Sequence, residues 1–209
     1  PARNPVSWVT QVSSALVAYR KADNMLVLVV NAGSSSLKAQ LIETEGKIAR
    51  MKCLAERVGS DGAVMTVSFA PDFDKVAYSV AGFEVRQCLA KLLDVMVDDP
   101  ESPISGLGQI DAVGNRIVAG GEYFTRATLI DDEARLNLSK CEELAPLHNP
   151  AADACIDLLR EMLPDTPQVA VFDTAFHQTM PPKAYMYPLP MRYYDEYSIR
   201  RYGAHGTSH

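Results

Sequence analysis

The sequence of 209 residues is poor in several features that would assign it to a familiar class of protein. It has four cysteines, and none of them forms a C-x-x-C pair. Scattered cysteines without a signal peptide argue against a disulfide scaffold and predict reduced thiols in a cytoplasmic protein. All are expected to be packing residues: Cys53, Cys88, Cys141 and Cys155. No apolar run approaches the ~20 residues that a membrane-spanning helix needs, so a soluble chain without a membrane partner is expected.

Positive charge is also scarce. Lys and Arg number 20 against 26 Asp and Glu, which gives a formal net charge of −6 at pH 7, and no basic run occurs. This balance argues against a nucleic-acid or anionic-membrane partner and favours a small-molecule ligand. No G-x-G-x-x-G follows a predicted strand, which argues against a dinucleotide-binding protein. A hydrophobic fraction of 47% is enough for a sizeable core in one large or two small domains.

The most informative stretch is a buried strand followed by a small, polar turn. Residues 26–30 are an uninterrupted apolar run rich in Val, which predicts a fully buried strand. After the turn, Leu37, Ala39 and Leu41 alternate with polar residues, so the chain is expected to return as a second strand. A Walker loop needs a second glycine before its lysine and a helix after it, so this turn is not a Walker loop.

The turn has the chemistry of a phosphate site. Gly33 allows the backbone to approach a ligand, and the serines at 34–36 add hydroxyl donors. Lys38 places a positive charge on the second strand, and Asn31 ends the first strand with an amide that can hold a metal-bound water. An ordinary Gly/Ser hairpin with a surface lysine explains the same residues equally well at this point.

Periodic apolar residues predict further elements on both sides of this hairpin. Within residues 1–24, a short amphipathic helix is predicted by apolar residues at helical spacing: Trp8, Val12, Leu16 and Tyr19. Residues 47–54 and 63–69 are expected to be strands, so the N-terminal region is predicted to be a β-meander. A helix over residues 82–97 is expected to cover one face of the sheet.

Another predicted strand carries a cation at its end. Residues 110–118 begin as an apolar strand, reach Arg116 and run into a Gly-Gly step. A cation at the end of a buried strand is costly unless it is paired or faces a ligand, so Arg116 is a candidate clamp for a carboxylate or phosphate. Pairing of Arg116 with a core acid is an equally good explanation from the sequence alone.

Two helices are predicted in the second half of the chain. They are expected over residues 136–144 and 150–162, with Asn149 as the N-cap of the second helix and Pro150 at its first position. His148 lies in the loop between them. From the sequence alone His148 is a polar loop residue or a site residue.

The last predicted strand delivers an acid to the same edge of the sheet. Residues 168–172 are apolar and lead directly into Asp173. In open α/β sheets ligands collect beyond the carboxyl ends of the strands, so Asp173 is a candidate catalytic or metal-associated group. An aspartate that caps the next turn is the alternative. His177 is expected to support the fold.

Five sequence blocks resemble the acetate kinase family, which belongs to the actin-like superfamily of acetate and sugar kinases. In chain order they are NAGSSSLK after LVLVV, GNRIVAGG, APLHNP, VFDTAFHQTMP and YGAHGTSH. They run from Asn31 to His209 and keep the family's order and approximate spacing. The resemblance implies an α/β fold with an actin-like (ribonuclease H-like) kinase domain, whose mixed β-sheet has an N-terminal β-meander and is flanked by helices.

The resemblance also implies roles for individual residues. The implied catalytic residues are Arg116, Asp173 and His205. The implied substrate-binding residues are Arg116, Val118, Leu147, His148 and Ala204. The implied ATP- and phosphate-binding residues are Gly33, Ser34, Ser36 and Lys38, and Asn31 is expected near the metal ion, Mg²⁺.

The implied activity is reversible transfer of the γ-phosphoryl group of ATP to acetate or propionate, which gives an acyl phosphate and ADP. The resemblance covers only the N-terminal half of the family: residues 1–24 are expected to be an extension, residues 25–209 to be the matching domain, and the C-terminal nucleotide-binding domain to be absent. Expected partners are the small carboxylate, ATP or ADP, and either a second copy or the missing half. The alternative is a catalytically inactive truncated domain that acts as a binding or interaction module.

Three positions depart from the family's patterns. Asn115 and Ala119 replace both histidines of the signature usually written GHRxxHGG, which is expected to change the electrostatics beside Arg116. Ala204 stands where the family usually has Phe. Exchange of a ring for a methyl group is expected to leave room for a longer acyl chain or to loosen the site.

Overall fold

The structure is a computed structural model that describes residues 6–16, 24–80 and 82–209. The strands are β1 (Leu26–Gly33), β2 (Ser36–Glu43), β3 (Ile48–Glu56), β4 (Val64–Phe69), β5 (Val76–Ser79), β6 (Ala112–Ile117), β7 (Thr128–Leu129) and β8 (Gln168–Phe172). The α-helices are α1 (Val6–Leu16), α2 (Val85–Asp98), α3 (Asp132–Lys140), α4 (Asn149–Met162), α5 (Pro182–Tyr185) and α6 (Arg192–Tyr197). Short 3₁₀ turns occupy Leu107–Gln109, Glu142–Leu144, Ala175–His177 and Gly206–Ser208.

The first four strands form the predicted antiparallel meander, β5 extends it by a strand that was not predicted, and the sheet continues on the other side of β1. The strand order is β5-β4-β3-β2-β1-β6-β8-β7. β6 pairs parallel with β1 and β8 pairs parallel with β6, whereas β7 is an antiparallel edge strand. The mixed sheet predicted from the sequence is therefore confirmed, and the carboxyl ends of β1, β6 and β8 lie at one edge.

Alternating side chains divide the sheet into two buried faces. On one face, Leu28, Val30 and Val113 belong to a cluster that includes Leu92 of α2 and Leu159 of α4. The apolar positions of both helices recur with the helical period, so each helix presents one stripe to the sheet. This cluster is the main core, and it extends across the meander.

Helix α1 covers part of the other face. Val12 and Leu16 are 0% and 1% exposed and pack with Val29 and Val171. Gly114 of β6 lies under the helix, and a Cβ atom there would be only 2.7 Å from Val12 Cγ2. The absence of a side chain at this position therefore lets the helix lie close to the sheet.

Both N-terminal helix predictions are confirmed, with small shifts in their ends. The helix expected within residues 1–24 is α1, although Tyr19 and the side chain of Trp8 lie outside the described residues. The helix expected over residues 82–97 is α2. Within the part of the chain that the structure describes, no helix is both long and apolar enough to cross a membrane.

The helix predicted over residues 136–144 begins earlier than expected, at Asp132. Its N-cap is Asp131, whose Oδ1 accepts a hydrogen bond from the backbone N–H of Ala134 at 2.8 Å. An aspartate at this position satisfies an N–H group that has no partner within the helix. The helix ends at Lys140, and the remainder of the predicted segment is a 3₁₀ turn.

The prediction that Asn149 caps α4 is wrong. His148 takes the N-cap position without a capping side-chain bond, and Asn149 is the first residue of the helix. Asn149 is 3% exposed, and its carboxamide bonds to backbone groups of Ala119 and Cys141. The Asn149 side chain, which was expected to cap the N–H groups of α4, therefore makes tertiary contacts instead.

The four cysteines are free and buried, as predicted. Burial raises the pKa of Cys53 and of Cys155 to about 12 and that of Cys141 to about 11. A thiol that stays protonated at neutral pH is a poor nucleophile. These cysteines therefore act as apolar packing residues.

Candidate functional site

A cavity of about 240 Å³ lies at the sheet edge where β1 and β6 end. Its walls are the β1–β2 turn, the end of β6 and the first turn of α4. The lining residues are Asn31, Ala32, Gly33, Ser34, Ser35, Ser36, Lys38, Arg116, Val118, His148 and Ala152. All residues predicted for phosphate and metal binding are therefore brought together, along with three of those predicted for the substrate.

A second, larger cavity of about 980 Å³ lies between α1 and residues 123–137. None of the residues predicted for catalysis or binding lines it. It is an open groove whose walls mix apolar residues with charges of both signs, such as Arg126 and Glu133. The smaller cavity is the better candidate site because its charged lining side chains are all cationic.

The β1–β2 turn supplies one wall. Gly33 pairs with Ser36 across a two-residue turn, which leaves Ser34 and Ser35 exposed at the tip. A Cβ atom on Gly33 would lie 3.1 Å from Ser36 Oγ, so glycine keeps the turn compact. The backbone N–H of Val58 donates to Ser35 O at 3.0 Å and ties the turn to the loop after β3.

The charge of the cavity comes from two strands. Lys38 on β2 is exposed at the cavity and lies opposite Asn31 of β1 in the strand pairing. Arg116 on β6 is the other cation, and no aspartate or glutamate is among the lining residues. A cationic concavity without acids favours a small anion.

Arg116 and Asp173 form a side-on ion pair beside the cavity. Nε of Arg116 donates to Oδ1 of Asp173 at 3.2 Å, and Nη2 donates to Oδ2 at 2.5 Å. Nη1 donates to Asn31 Oδ1 at 3.3 Å. The Arg116 side chain is 14% exposed and that of Asp173 only 2%. Arg116 therefore pairs with a core acid, as the alternative explanation predicted, and it also lines the cavity.

Asp173 follows β8, and residues of the C-terminal block contact it. Its N–H donates to Ile117 O at 3.0 Å, and its carbonyl oxygen accepts from Gly206 N at 2.9 Å. Thr207 Oγ1 donates to Asp173 Oδ1 at 2.5 Å. Thr207 was missed as a site residue, although its place two residues after His205 in the YGAHGTSH block was an available signal.

The first turn of α4 forms another wall. His148 and Ala152 line the cavity, so the N-terminal end of a 14-residue helix lies beside it. A helix N-terminus carries a partial positive charge and favours anions. The helix thus adds to the positive character that Lys38 and Arg116 give to the cavity.

The backbone after β6 is held by three side chains that sequence reasoning did not assign to the site. The bonds are Ala119 N–H to Asn149 Oδ1 (3.2 Å), Asn149 Nδ2 to Ala119 O (2.8 Å), Gly120 N–H to Thr174 Oγ1 (3.0 Å) and Gln178 Nε2 to Gly121 O (2.9 Å). These residues come from α4 and from the segment after β8. They therefore fix the position of Val118, which immediately precedes this backbone.

Four predicted residues do not line the cavity, and one of them, Asp173, lies beside it in contact with Arg116. Leu147 is 78% exposed, and neither Ala204 nor His205 lines the cavity. His205 adopts a left-handed backbone conformation with φ of 57°. Ala204 O lies 2.8 Å from Nε2 of His177, which agrees with the structural role predicted for that histidine.

The departures at Asn115 and Ala119 do not line the cavity. Side chains alternate along a strand, so Asn115 points away from the face of Arg116. Asn115 is 3% exposed and donates to Gln168 Oε1 at 2.8 Å. Ala119 is buried, and its backbone bonds to Asn149.

A complete set of protein ligands for a metal ion is not present in the part of the chain that the structure describes: no group of three or more His, Cys, Asp or Glu side chains is suitably placed. Mg²⁺ usually keeps several waters and relies on substrate phosphates. Asn31, which was expected near the metal ion, lines the cavity, and its Oδ1 accepts a hydrogen bond from Arg116 Nη1 at 3.3 Å. An Mg²⁺ ion here would therefore take most of its ligands from water and from substrate phosphates.

The chain is similar to acetate and propionate kinases over most of its length. A sequence profile described as the Acetokinase family matches residues 26–209. The acetate kinase of Caldanaerobacter subterraneus subsp. tengcongensis is 48% identical over 185 residues, which are 88% of this chain and 46% of that protein.

Two solved structures are similar as well. They are a propionate kinase from Francisella tularensis, with TM-score 0.82 and 36% identity, and the acetate kinase of Porphyromonas gingivalis, with TM-score 0.82 and 39% identity. Each alignment covers 88% of this chain and 46% of the other chain. The chain therefore spans about half the length of the proteins it matches.

Proposed function

Because the chain belongs to the Acetokinase family, we propose that it forms the carboxylate- and phosphate-binding half of a kinase that converts acetate or propionate to an acyl phosphate with ATP. The observation that carries the proposal is the guanidinium of Arg116. Asp173 and Asn31 hold it beside the glycine-serine turn in one cationic cavity. A carboxylate and a phosphate bound there would lie next to each other.

Arg116 would bind the carboxylate. A guanidinium has five N–H donors, and three hydrogen bonds from Arg116 go to Asp173 and Asn31. The remaining donors are on the two Nη atoms. They are available for the oxygens of a small carboxylate, and Val118 supplies an apolar wall for its short alkyl chain.

The β1–β2 turn would bind the phosphates. Gly33, Ser34 and Ser36 line the cavity, where their backbone N–H groups and hydroxyls would donate to phosphate oxygens, and Lys38 adds a full positive charge. Phosphoryl transfer depends on alignment and on charge neutralisation more than on covalent chemistry by the protein. The turn and Arg116 together would align the γ-phosphoryl group with the carboxylate.

In this reaction a carboxylate oxygen attacks the γ-phosphorus, the bond between that phosphorus and the β–γ bridging oxygen breaks, and ADP leaves. A carboxylate is already ionised at neutral pH, so no general base is needed. This fits the surroundings of Asp173, whose two oxygens accept hydrogen bonds from Arg116 and Thr207. We therefore assign Asp173 to the orientation of Arg116.

The remaining assignments follow from the family resemblance. Mg²⁺ would neutralise phosphate charge, and Asn31 Oδ1 would contact it directly or through water. His205 would donate to the transferring phosphoryl group, which requires its imidazole to reach the cavity from its position next to Gly206. His148 would lie at the substrate, whereas Leu147 and Ala204 would need movement of their segments to reach it.

The adenosine part of ATP would be bound by the portion of the relatives that this chain does not match, and residues 25–209 would act as the substrate-binding domain. Pairing with that second half, or with another copy, would complete the site. The four free, buried thiols suit a reducing compartment, so we place the activity in the cytoplasm.

The proposal is tested by titration of the ¹⁵N-labelled chain with sodium acetate and, separately, with inorganic phosphate. Acetate is expected to shift the Nε–H resonance of Arg116, and phosphate the amide resonances of residues 33–36. In the Arg116→Lys variant the charge stays but the planar fork is lost, so acetate affinity should fall about tenfold or more while phosphate still binds.

The matched control is Arg86→Lys, because Arg86 is an exposed arginine that pairs with Glu161 away from the cavity. It should leave both titrations unchanged. Absence of any shift at Arg116 on addition of acetate would contradict the proposal. Acyl phosphate formation with Mg-ATP, trapped by hydroxylamine, then tests the reaction, and an Arg116→Ala change should abolish any turnover.

A further inference from the structure

The 3₁₀ turn Gly206–Ser208 packs directly on the Arg116–Asp173 pair, although it comes from the other end of the sequence. Asp173 is 1% exposed and Thr207 is 4% exposed. The Thr207 hydroxyl and two nitrogens of Arg116 all donate to the same carboxylate. One carboxylate thus links a cavity residue of β6 to the C-terminal block.

The Thr207 hydroxyl and Arg116 Nε donate to the same oxygen of the Asp173 carboxylate. Oδ1 of Asp173 accepts from Thr207 Oγ1 at 2.5 Å and from Arg116 Nε at 3.2 Å, whereas Oδ2 accepts from Arg116 Nη2 at 2.5 Å. A carboxylate with partners on both oxygens cannot rotate without breaking a bond. The plane of Asp173 then determines the plane of the Arg116 guanidinium.

Backbone contacts hold the Thr207 hydroxyl within hydrogen-bond distance of the Asp173 carboxylate. Gly206 N–H donates to Asp173 O at 2.9 Å, and a Cβ atom on Gly206 would lie 2.2 Å from that oxygen, so no side chain fits. His205, just before, is in the left-handed conformation that a non-glycine residue adopts only when its surroundings enforce it. Anchoring at Gly206 and Thr207 therefore also sets the backbone of His205.

We propose that Thr207 is a positioning residue for carboxylate binding: its hydroxyl holds Asp173 in the plane that turns the remaining donors of Arg116 toward the cavity. The inference rests on the proposed function, because it assigns Arg116 to the substrate carboxylate. It adds a residue that does not line the cavity and that acts through Asp173.

The test uses the full chain with Thr207→Val, which keeps the shape of the side chain and removes the donor, and with Thr207→Ser, which keeps the hydroxyl. Two quantities are measured by NMR: the Arg116 Nε–H chemical shift in the absence of ligand, and the acetate affinity from titration. Thr207→Val should move the Nε–H resonance and weaken acetate binding about tenfold, in keeping with loss of a hydrogen bond to a charged group. Thr207→Ser should restore most of both.

Exposed Thr179 provides the matched control, and Thr179→Val should change neither quantity. The inference is overturned if Thr207→Val leaves the Arg116 resonance and the acetate affinity at their original values. It is also overturned if the Val and Ser variants behave alike, since a purely structural role would not depend on the hydroxyl.

Failure of the proposed function looks different. In that case acetate does not bind the unmodified chain, whereas the ligand-free Arg116 resonance still moves in Thr207→Val and returns in Thr207→Ser. That result would keep Thr207 as the residue that orients Asp173 and Arg116 and would remove acetate as the ligand. If Thr207→Val unfolds, its NMR spectrum loses dispersion. The inference is then tested with Thr207→Ser alone: it is supported if the original Arg116 resonance is kept and overturned if that resonance is lost.

Discussion

The carboxamide of Asn149 pairs with both backbone groups of Ala119. Its Oδ1 accepts from the Ala119 N–H at 3.2 Å and its Nδ2 donates to the Ala119 carbonyl at 2.8 Å, while Nδ2 also donates to Cys141 O at 2.9 Å. One buried side chain thus joins the backbone after β6 to the start of α4. These are two of the elements that form walls of the candidate site.

Replacement of Asn149 should destabilise the fold. Asn149→Ala leaves three buried backbone groups without this partner, and each such group costs roughly 1–3 kcal/mol, so a loss of about 3 kcal/mol or more is expected. Asn149→Asp should be at least as harmful, because a carboxylate would face two carbonyl oxygens. Urea denaturation of both variants measures the effect. A loss no larger than that of Asn137→Ala, a change at a half-buried position of α3 whose side chain accepts from Lys140, would contradict this prediction.

Gly114→Ala should push α1 away from the sheet. The new methyl group would lie 2.7 Å from Val12 Cγ2, which is too close for two carbon atoms. Overpacking of this kind typically costs roughly 1–3 kcal/mol. The free energy of unfolding should therefore fall by that amount in Gly114→Ala.

Val12→Ala tests the cause of that effect. If the clash with Val12 is responsible, the double variant Gly114→Ala/Val12→Ala should lose less stability than the sum of the two single changes. Simple additivity in this double-mutant cycle would mean that Val12 and position 114 do not interact.

Stability should depend on Glu122 in acid. Burial raises the pKa of Glu122, but hydrogen bonds from Arg200 and Tyr194 outweigh it, so the pKa lies below its ordinary value of 4.5. A lowered native pKa stabilises the fold above the ordinary value, and this contribution is lost as the pH falls through the native pKa. Wild type should therefore exceed Glu122→Gln in stability at neutral pH, and the difference should shrink below 4.5.

Urea midpoints between about pH 3 and pH 7 measure that difference. Glu133→Gln, which removes an exposed carboxylate of α3 away from Arg200, is measured alongside as the matched control. A gap between wild type and Glu122→Gln that is equally wide at both ends of the range would argue against the Arg200 pair as its source.

The segment after β8 should make the chain self-associate. Several large apolar side chains there are exposed: Phe176, Tyr187, Leu189, Met191, Tyr197 and Ile199. Exposed apolar patches of this kind mark interfaces or aggregation sites. Sedimentation velocity should show dimers or larger species as the concentration rises, and the double change Leu189→Ser/Met191→Ser should reduce them. A clean monomer at high concentration would refute the prediction.

Local sequence patterns were sufficient for the meander, the core strands and most helices. An apolar run rich in Val identified β1, the alternation of Leu37, Ala39 and Leu41 identified β2, and helical spacing identified α2. These patterns are local because the burial of one strand or helix face depends on the period of its own residues. The start of α3 was missed because the cap at Asp131 was not recognised.

Several residues of the candidate site were predicted from the sequence, but most contacts between them were not. The residues of the glycine-serine turn, Arg116 and Asp173 were named from motifs, and the structure puts Arg116 and Asp173 in contact. No pattern indicated that Asn149 would leave its helix end to bond Ala119, or that Thr207 would reach Asp173. Such contacts join residues far apart in sequence, so local periodicity carries no information on them.

The sequence by itself determined the class of fold and the identity of the charged residues near the β1–β2 turn. Only the tertiary structure decided which face each residue occupies at the sheet edge: Arg116 lies beside the cavity, while its neighbour Asn115 points into the core toward Gln168. The physical reason is that the chemical type of a side chain determines what it can bind. Strand register and the packing of α4 and the C-terminal block determine which groups it can reach.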